Sequence, residues 1–183
     1  MFFSLLHECA HGVVAKGLGY SPKEIVAGLF GGVLHLEDRR IKLSDELLIH
    51  SAGPLFNLGV AAVGYVILQI FGWHWIYYII AANLVLALFN LMPFYPLDGG
   101  KILNVYFKRL LSLKASYVAS KTLSIVFSIL LFLFGLYLVQ YNIVNLIVCA
   151  LAINLFVAGR ADDRYSFDRL HNIYSNLKED NRI

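Results

Sequence analysis

The fold of this chain is decided by stretches such as Leu123-Ser-Ile-Val-Phe-Ser-Ile-Leu-Leu-Phe-Leu-Phe-Gly-Leu-Tyr-Leu-Val139, which contains no charged residue. A helix of about 20 mostly apolar residues is long enough to cross the hydrocarbon core of a bilayer. Over the whole chain, 59% of the residues are hydrophobic and 15% are charged. A soluble domain has about a quarter of its residues charged, so this composition indicates a membrane protein.

Five segments are predicted to be membrane helices. Four of them are apolar stretches that meet or approach the length of a spanning helix, and the first carries polar side chains. The segments are Met1–Leu18, Leu47–Phe71, Trp75–Met92, Leu123–Val139 and Ile143–Val157. The sequence therefore predicts an all-α polytopic membrane protein with about five transmembrane helices. Residues 1–160 are expected to form the membrane core, and residues 161–183 a short cytoplasmic tail.

The distribution of basic residues predicts how these helices are oriented. Lysines and arginines concentrate in segments 20–46 and 101–121 and in the tail, whereas the turns near Gly72–His74 and Gln140–Asn142 have none. Because basic residues flank the cytoplasmic ends of membrane helices, both segments and the tail are expected in the cytoplasm. We interpret the clusters as marks of membrane orientation beside lipid, and we predict no nucleic-acid partner.

The loop between the first two segments contains an apolar stretch interrupted by glycines, Ile25-Val-Ala-Gly-Leu-Phe-Gly-Gly-Val-Leu-His-Leu-Glu37. This stretch is rich in β-branched residues and is too short to cross a bilayer. It is expected to form a β-hairpin (a strand pair) or a re-entrant element that rests against the helices. An interfacial loop with no role beyond packing fits the same residues equally well.

The first segment contains an HExxH motif, His7-Glu8-Cys9-Ala10-His11. Residues four apart lie on one face of a helix, so His7 and His11 can present two imidazole nitrogens to one metal ion. Glu8 lies about 100° further round the helix, beside the ion, where it can act as a general base. Ionisable groups inside a membrane are costly and mark functional sites, although two buried structural histidines remain the alternative.

A third ligand is expected from the stretch Asn90-Leu-Met-Pro-Phe-Tyr-Pro-Leu-Asp-Gly-Gly100. Its prolines end the preceding helix, and its glycines permit a tight turn before an amphipathic helix over Lys101–Leu111. A catalytic zinc site has three protein ligands and an open position, and Asp98 is the best candidate for the third ligand. Because the first and third segments both run inward, all three ligands are expected in the cytoplasmic half of the membrane. In the alternative interpretation, Asp98 only caps the amphipathic helix.

Asn90 lies on an apolar helix and therefore needs a hydrogen-bond partner. One interpretation is that it binds substrate, through the scissile carbonyl or the backbone of a substrate strand. The other is that it joins two helices of the protein. The sequence leaves both roles open.

With these motifs, the chain resembles the site-2 protease family. The resemblance covers about residues 5–160 and rests on HExxH in one membrane helix and on NxxPxxxxDG after a later one. In this sequence the second motif consists of Asn90, Pro93, Asp98 and Gly99. Together with Phe30-Gly-Gly-Val and Ala52-Gly-Pro, this motif is most similar to the stage IV sporulation protein FB branch.

The resemblance implies one zinc ion held by two histidines and an aspartate, which match His7, His11 and Asp98, with Glu8 as the general base. It implies a multi-pass protein of the bacterial cell membrane that cleaves a membrane-associated protein near the cytosolic face. In the sporulation branch the substrate is a sigma-factor precursor, and inhibitory membrane partners restrain the enzyme. The resemblance also implies a further helix before the HExxH helix, so residues 1–183 are expected to lack the start of the protein.

The sequence therefore predicts an intramembrane zinc metalloprotease. One rival is an inactive membrane scaffold of the same family, which would keep the fold without needing intact ligands; all four catalytic positions are present here. A second rival is a metal transporter, which would need polar residues along several helices. The last two segments are almost purely apolar, which disfavours a transporter.

Overall fold

The computed structural model describes residues 2–20, 22–28, 31–36 and 41–157. In these residues, six helices and one pair of strands follow one another. The helices are α1 (Phe2–Gly17), α2 (Leu43–Phe71), α3 (Ile76–Asn90), α4 (Asp98–Leu110), α5 (Leu113–Val139) and α6 (Ile143–Val157). Each of the five predicted membrane segments is a helix, and α4 is the predicted amphipathic one. The predicted tail lies outside the described residues.

Two of the helices, α2 and α5, are long and apolar enough to cross a membrane, and α3 and α6 are shorter apolar helices. Only 28% of the most hydrophobic stretch of α2 and 17% of that of α5 is buried within the protein. Their exposed side chains include large apolar ones such as Leu55, Val66, Leu130 and Phe134. Such a surface is expected to face another apolar medium, which the core of a bilayer provides.

A two-stranded antiparallel sheet lies between α1 and α2. Its strands are β1 (Pro22–Gly28) and β2 (Gly31–Leu36). Ile25 pairs with Leu34 and Val26 with Val33, and the register shifts near the start of β1. A strand pair is one of the arrangements expected from the sequence of this stretch. Its position relative to the membrane stays a prediction.

Helix α2 is the central element, because it packs against α1, α3 and α4. Gly64 lets α3 approach closely, since a Cβ atom there would lie 3.0 Å from Ile80 Cγ1. At the opposite end of α2, Lys108 Nζ donates to Glu46 Oε1 at 2.6 Å and ties α4 to α2. Tyr20 Oη donates to Asp45 Oδ2 at 2.8 Å, and this hydrogen bond raises the pKa of Tyr20.

The loop between α3 and α4 folds back onto the start of α4. Phe94 and Leu97 from this loop form a buried apolar cluster with Leu155 of α6. The sequence predicted that Gly99 and Gly100 form a turn ahead of the helix, and this was wrong, because both lie in the first turn of α4. They are glycines for a different reason. A Cβ atom on either residue would collide with the backbone of the loop, 2.5 Å from Met92 O at Gly99 and 2.6 Å from Tyr95 N at Gly100.

Candidate metal centre

Helix α1 supplies two buried histidines on one face. His7 and His11 are 2% and 5% exposed, and their ring centroids lie 4.9 Å apart. Ala15, one turn further on, is also buried, so these residues form the stripe along which α1 contacts the rest of the protein. The four-residue spacing therefore places both imidazoles on the inside of the fold, as the sequence predicted.

The carboxylate of Asp98 meets both imidazoles. Its Oδ2 atom lies 2.9 Å from His7 Nε2 and 3.1 Å from His11 Nε2. Asp98 is 5% exposed and is the first residue of α4, where the fold-back of the preceding loop places it against α1. Ligand atoms from all three residues lie within 4.8 Å of one another. The structure thus brings together the three predicted ligands, which are far apart in the sequence.

The Nδ1 atom of His11, the ring nitrogen that does not face Asp98, contacts α2. His11 Nδ1 lies 2.6 Å from the carbonyl oxygen of Ile49, a geometry in which Nδ1–H donates and Nε2 faces Asp98. Metal-binding histidines characteristically donate their second ring N–H in this way, which fixes the tautomer and the ring orientation. Sequence reasoning missed Ile49, since a backbone carbonyl leaves no residue-type signal. His7 Nδ1 is buried and has no hydrogen-bond partner within the described residues.

Gly53 of α2 provides the space for the two imidazoles. A Cβ atom at this position would lie 2.5 Å from His7 Nε2 and closer still to His11 Nε2. Ala52-Gly53-Pro54 is a sequence of small residues that permits close helix contact. The structure shows that the group packed against Gly53 is the pair of candidate ligands itself.

The three side chains suit a zinc ion. Zinc binds imidazole nitrogen and carboxylate oxygen at about 2.0–2.2 Å, which puts tetrahedral ligand atoms about 3.3 Å from one another. Asp98 Oδ2 lies at 2.9 and 3.1 Å from the two Nε2 atoms, close to that spacing. Two nitrogens and one oxygen also leave a fourth position open, which is the pattern of catalytic zinc sites. The donor set therefore fits the predicted cofactor.

Two further charged residues lie beside these ligands. Glu8 is partly buried and interacts electrostatically with His7, His11 and Asp98, as expected for the residue after the first histidine. Lys101 Nζ lies 3.9 Å from Asp98 Oδ1, one helical turn along α4. Sequence reasoning treated Lys101 only as a mark of orientation. Its i,i+3 spacing from Asp98 was the available signal for this contact.

Two asparagines, Asn57 and Asn90, lie on the apolar helices α2 and α3. Asn90 Nδ2 donates to Leu86 O at 2.9 Å within its own helix, and among the described residues it makes no hydrogen bond to another helix. Its predicted role stays a prediction. Asn57 of α2, one turn beyond Gly53, is fully buried, and both of its polar atoms lack partners in the described part of the chain. Sequence reasoning did not single out Asn57.

Comparisons with known proteins agree with this fold. Peptidase family M50 matches residues 70–135. The solved structure of a site-2 protease from Methanocaldococcus jannaschii has a TM-score of 0.69 and 30% sequence identity, covering 87% of this chain and 74% of that one. A zinc metalloprotease of Methanocaldococcus jannaschii is 31% identical in an alignment that covers 95% of this chain and 50% of the relative. Stage IV sporulation protein FB of Bacillus subtilis is 26% identical over 156 residues, 83% of this chain and 54% of the relative.

The fold and the buried donor set define a helical membrane protein with a candidate metal site. The chain belongs to the site-2 protease family, Peptidase family M50. This membership and the mainly helical site-2 protease fold, both predicted from the sequence, are confirmed. The chain spans about half the length of the two relatives from Methanocaldococcus jannaschii and Bacillus subtilis.

Proposed function

We propose that this protein is an intramembrane zinc metalloendopeptidase that hydrolyses a peptide bond of a membrane-associated protein near the cytosolic face. The observation that carries the proposal is the convergence of His7, His11 and Asp98, whose ligand atoms lie within 4.8 Å of one another in a buried position. Relatives named as zinc metalloproteases support the same chemistry.

One zinc ion is held by His7, His11 and Asp98 in this proposal. When bound, zinc supplies a Lewis acid that activates water at neutral pH and polarises a carbonyl. Ile49 O fixes the ring of His11, and the Asp98 carboxylate carries the negative charge that a divalent cation needs. Lys101 lies on the far side of that carboxylate, at 3.9 Å from Oδ1, which leaves Oδ2 directed at the histidines.

Glu8 acts as the general base and then as the general acid. It lies about 100° round α1 from His7, beside the donor atoms without being one of them. From there it accepts the proton of the attacking water and delivers it to the leaving amine.

The reaction site lies in the cytoplasmic half of the membrane. His11 is five residues before Lys16, which corresponds to about 8 Å along a helix. The polar contacts that join α1, α2 and α4, among them Lys108–Glu46 and Tyr20–Asp45, lie at the same end of the bundle as Lys16. That concentration of charge supports the assignment of this end to the cytoplasmic face of a bacterial cell membrane.

The substrate we propose is a sigma-factor precursor of sporulation, with inhibitory membrane partners that restrain cleavage. The support is the resemblance of Phe30-Gly-Gly-Val, Ala52-Gly-Pro and the NxxPxxxxDG motif to the sporulation branch, together with the 26% identity to stage IV sporulation protein FB. The proposed substrate is more specific than the assignment as a metalloprotease. It is therefore tested separately, by co-expression with different candidate substrates.

Replacing Glu8 with glutamine tests the proposed chemistry. The amide keeps the shape of the side chain but cannot accept a proton, so Glu8→Gln should abolish cleavage and leave bound zinc unchanged. The measurement is immunoblotting of candidate precursors co-expressed with the protein, together with zinc analysis of the purified chain. Cys9→Ser is the matched control, because Cys9 is the next residue and is exposed; it should preserve both cleavage and zinc.

Cleavage at the unaltered rate by Glu8→Gln would remove Glu8 from the mechanism. A wild-type protein that holds zinc but cleaves none of the co-expressed membrane proteins would favour the inactive scaffold instead. Cleavage of a membrane protein other than a sigma-factor precursor would keep the protease and replace the proposed substrate.

A further inference from the structure

Helix α5 carries four buried serines on one face, and one of them contacts the loop that leads to Asp98. The four, each 1–7% exposed, are Ser116, Ser120, Ser124 and Ser128. Ser124 Oγ accepts a hydrogen bond from Tyr95 N at 2.8 Å and donates to Ser120 O at 2.9 Å. Ser116 Oγ bonds only within its own helix, and the Oγ atoms of Ser120 and Ser128 have no partner among the described residues.

The other end of Tyr95 is held by α4. Asn104 Nδ2 donates to Tyr95 Oη at 2.9 Å, and Asn104 is 7% exposed. Gly100 packs directly on the backbone of the same residue, since a Cβ atom there would lie 2.6 Å from Tyr95 N. Tyr95 is thus fixed at its amide by α5 and at its phenol by α4.

Fixing Tyr95 constrains Asp98, which follows three residues later. Pro96 stands between them and has a restricted backbone dihedral, so little rotational freedom separates the two residues. Phe94 and Leu97, on either side, are buried in the apolar cluster. Ser124 and Asn104 are each 7% exposed, so water has little access to replace a hydrogen bond that is lost at either residue. The direction in which the Asp98 carboxylate points therefore depends on the contacts made by Tyr95.

We propose that Ser124 and Asn104 are positioning residues for the metal site, which hold Asp98 toward His7 and His11 by fixing Tyr95 at both ends. The inference rests on the proposed function in one respect, that Asp98 is a zinc ligand. It adds that helix α5, which supplies no ligand among the described residues, contributes to metal affinity through a single serine hydroxyl.

Ser124→Ala tests the proposal in the purified full chain in detergent. Ser124→Ala removes the acceptor of the Tyr95 N–H, and we expect a loss of about tenfold in zinc affinity, measured by chelator competition. Ser128→Ala is the matched control, since Ser128 lies one turn further along the same face; its zinc affinity should equal that of the wild type. Ser124→Thr keeps the hydroxyl and should restore the affinity. Of these three serine variants, only Ser124→Ala should change the absorption spectrum of the cobalt-substituted protein.

A second variant tests the hydrogen bond between Tyr95 and Asn104 of α4. Tyr95→Phe removes only the phenol oxygen, and its zinc affinity should fall by about two- to tenfold, the ratio that one neutral hydrogen bond is worth. This variant keeps the proposal testable if Ser124→Ala does not fold. Wild-type zinc affinity and cobalt spectrum in Ser124→Ala, or in Tyr95→Phe if only that variant folds, would overturn the positioning role. A lowered melting temperature of the metal-free protein with unchanged affinity would also overturn it, because it would show a contact that only stabilises the fold.

Asp98→Ala separates this inference from the proposed function. Loss of zinc in Asp98→Ala together with wild-type affinity in Ser124→Ala would reject the positioning role alone. Wild-type affinity in Asp98→Ala would reject the proposed ligand set, and the positioning role with it.

Discussion

At the scale of single residues, the candidate site depends on how closely α1 can approach α2. His7 and His11 lie where a side chain at position 53 would otherwise stand. The carbonyl of Ile49, one turn earlier on α2, orients the ring of His11. The same helix therefore supplies both the space for the imidazoles and the group that fixes one of them. This pairing links the small-residue motif of α2 to the HExxH motif of α1.

Adding one methyl group at Gly53 tests this arrangement. In Gly53→Ala the Cβ atom would displace the ligating nitrogens, so zinc affinity should fall by about tenfold or more, because overpacking moves side chains off their positions. Gly59→Ala on the same helix is the control, since nothing lies within 4 Å of a Cβ atom there. Equal zinc affinity of the two variants, measured by chelator competition, would contradict the account.

The sequence predicts the residues of the site better than it predicts their surroundings. The spacing of His7, Glu8 and His11 follows from helix periodicity, and Asp98 follows from its motif. The contacts of Ile49 and Gly53 with the ligands could not be predicted from the sequence, because they arise from the packing of α2 against α1. The two interpretations of Asn90 from the sequence do not include its observed hydrogen-bond partner, the carbonyl of Leu86 on its own helix.

At the scale of secondary-structure elements, the predicted helices are present with different ends. Helix α5 begins at Leu113, ten residues before the predicted apolar stretch, and Ser112 accepts a hydrogen bond from Ala115 N at 3.3 Å at its start. The predicted segment was too short because it was delimited by hydropathy. A helix can continue past the membrane through charged residues such as Lys114 and Lys121. Helix α4 begins at Asp98, ahead of the predicted Lys101, because its glycines pack against the loop.

The apolar cluster under this loop is expected to stabilise it. Leu155 of α6 is 4% exposed and packs with Phe94 and Leu97. Leu155→Ala should lower the free energy of unfolding by about 2–5 kcal/mol, because the cavity left by the side chain is not refilled. Ile153 of the same helix is 54% exposed, and Ile153→Ala should cost far less, since lipid or detergent can occupy the space. Unfolding in mixed micelles measures both, and equal losses would contradict this role for the cluster.

At the scale of the whole molecule, helix α2 joins the parts of the described chain that form the site. It packs against α1, which carries the histidines, and against α4, which carries Asp98. Helix α5 packs against α4 and bonds the loop before it, so the last two helices support the site without lining it with ligands. The exposed apolar surface of α2 and α5 is expected to face lipid in this arrangement. The fold therefore holds three polar ligands at a buried point inside a largely apolar shell.

The most direct test of the account is the zinc content of the purified full chain in detergent. A site with three protein ligands predicts about one zinc ion per wild-type chain and far less in His7→Ala, His11→Ala and Asp98→Ala. Cys9→Ser, whose side chain is exposed on the same helix, should retain the wild-type content. A wild-type chain without zinc, or an Asp98→Ala chain that retains all of it, would contradict the claim that these three residues form one metal site.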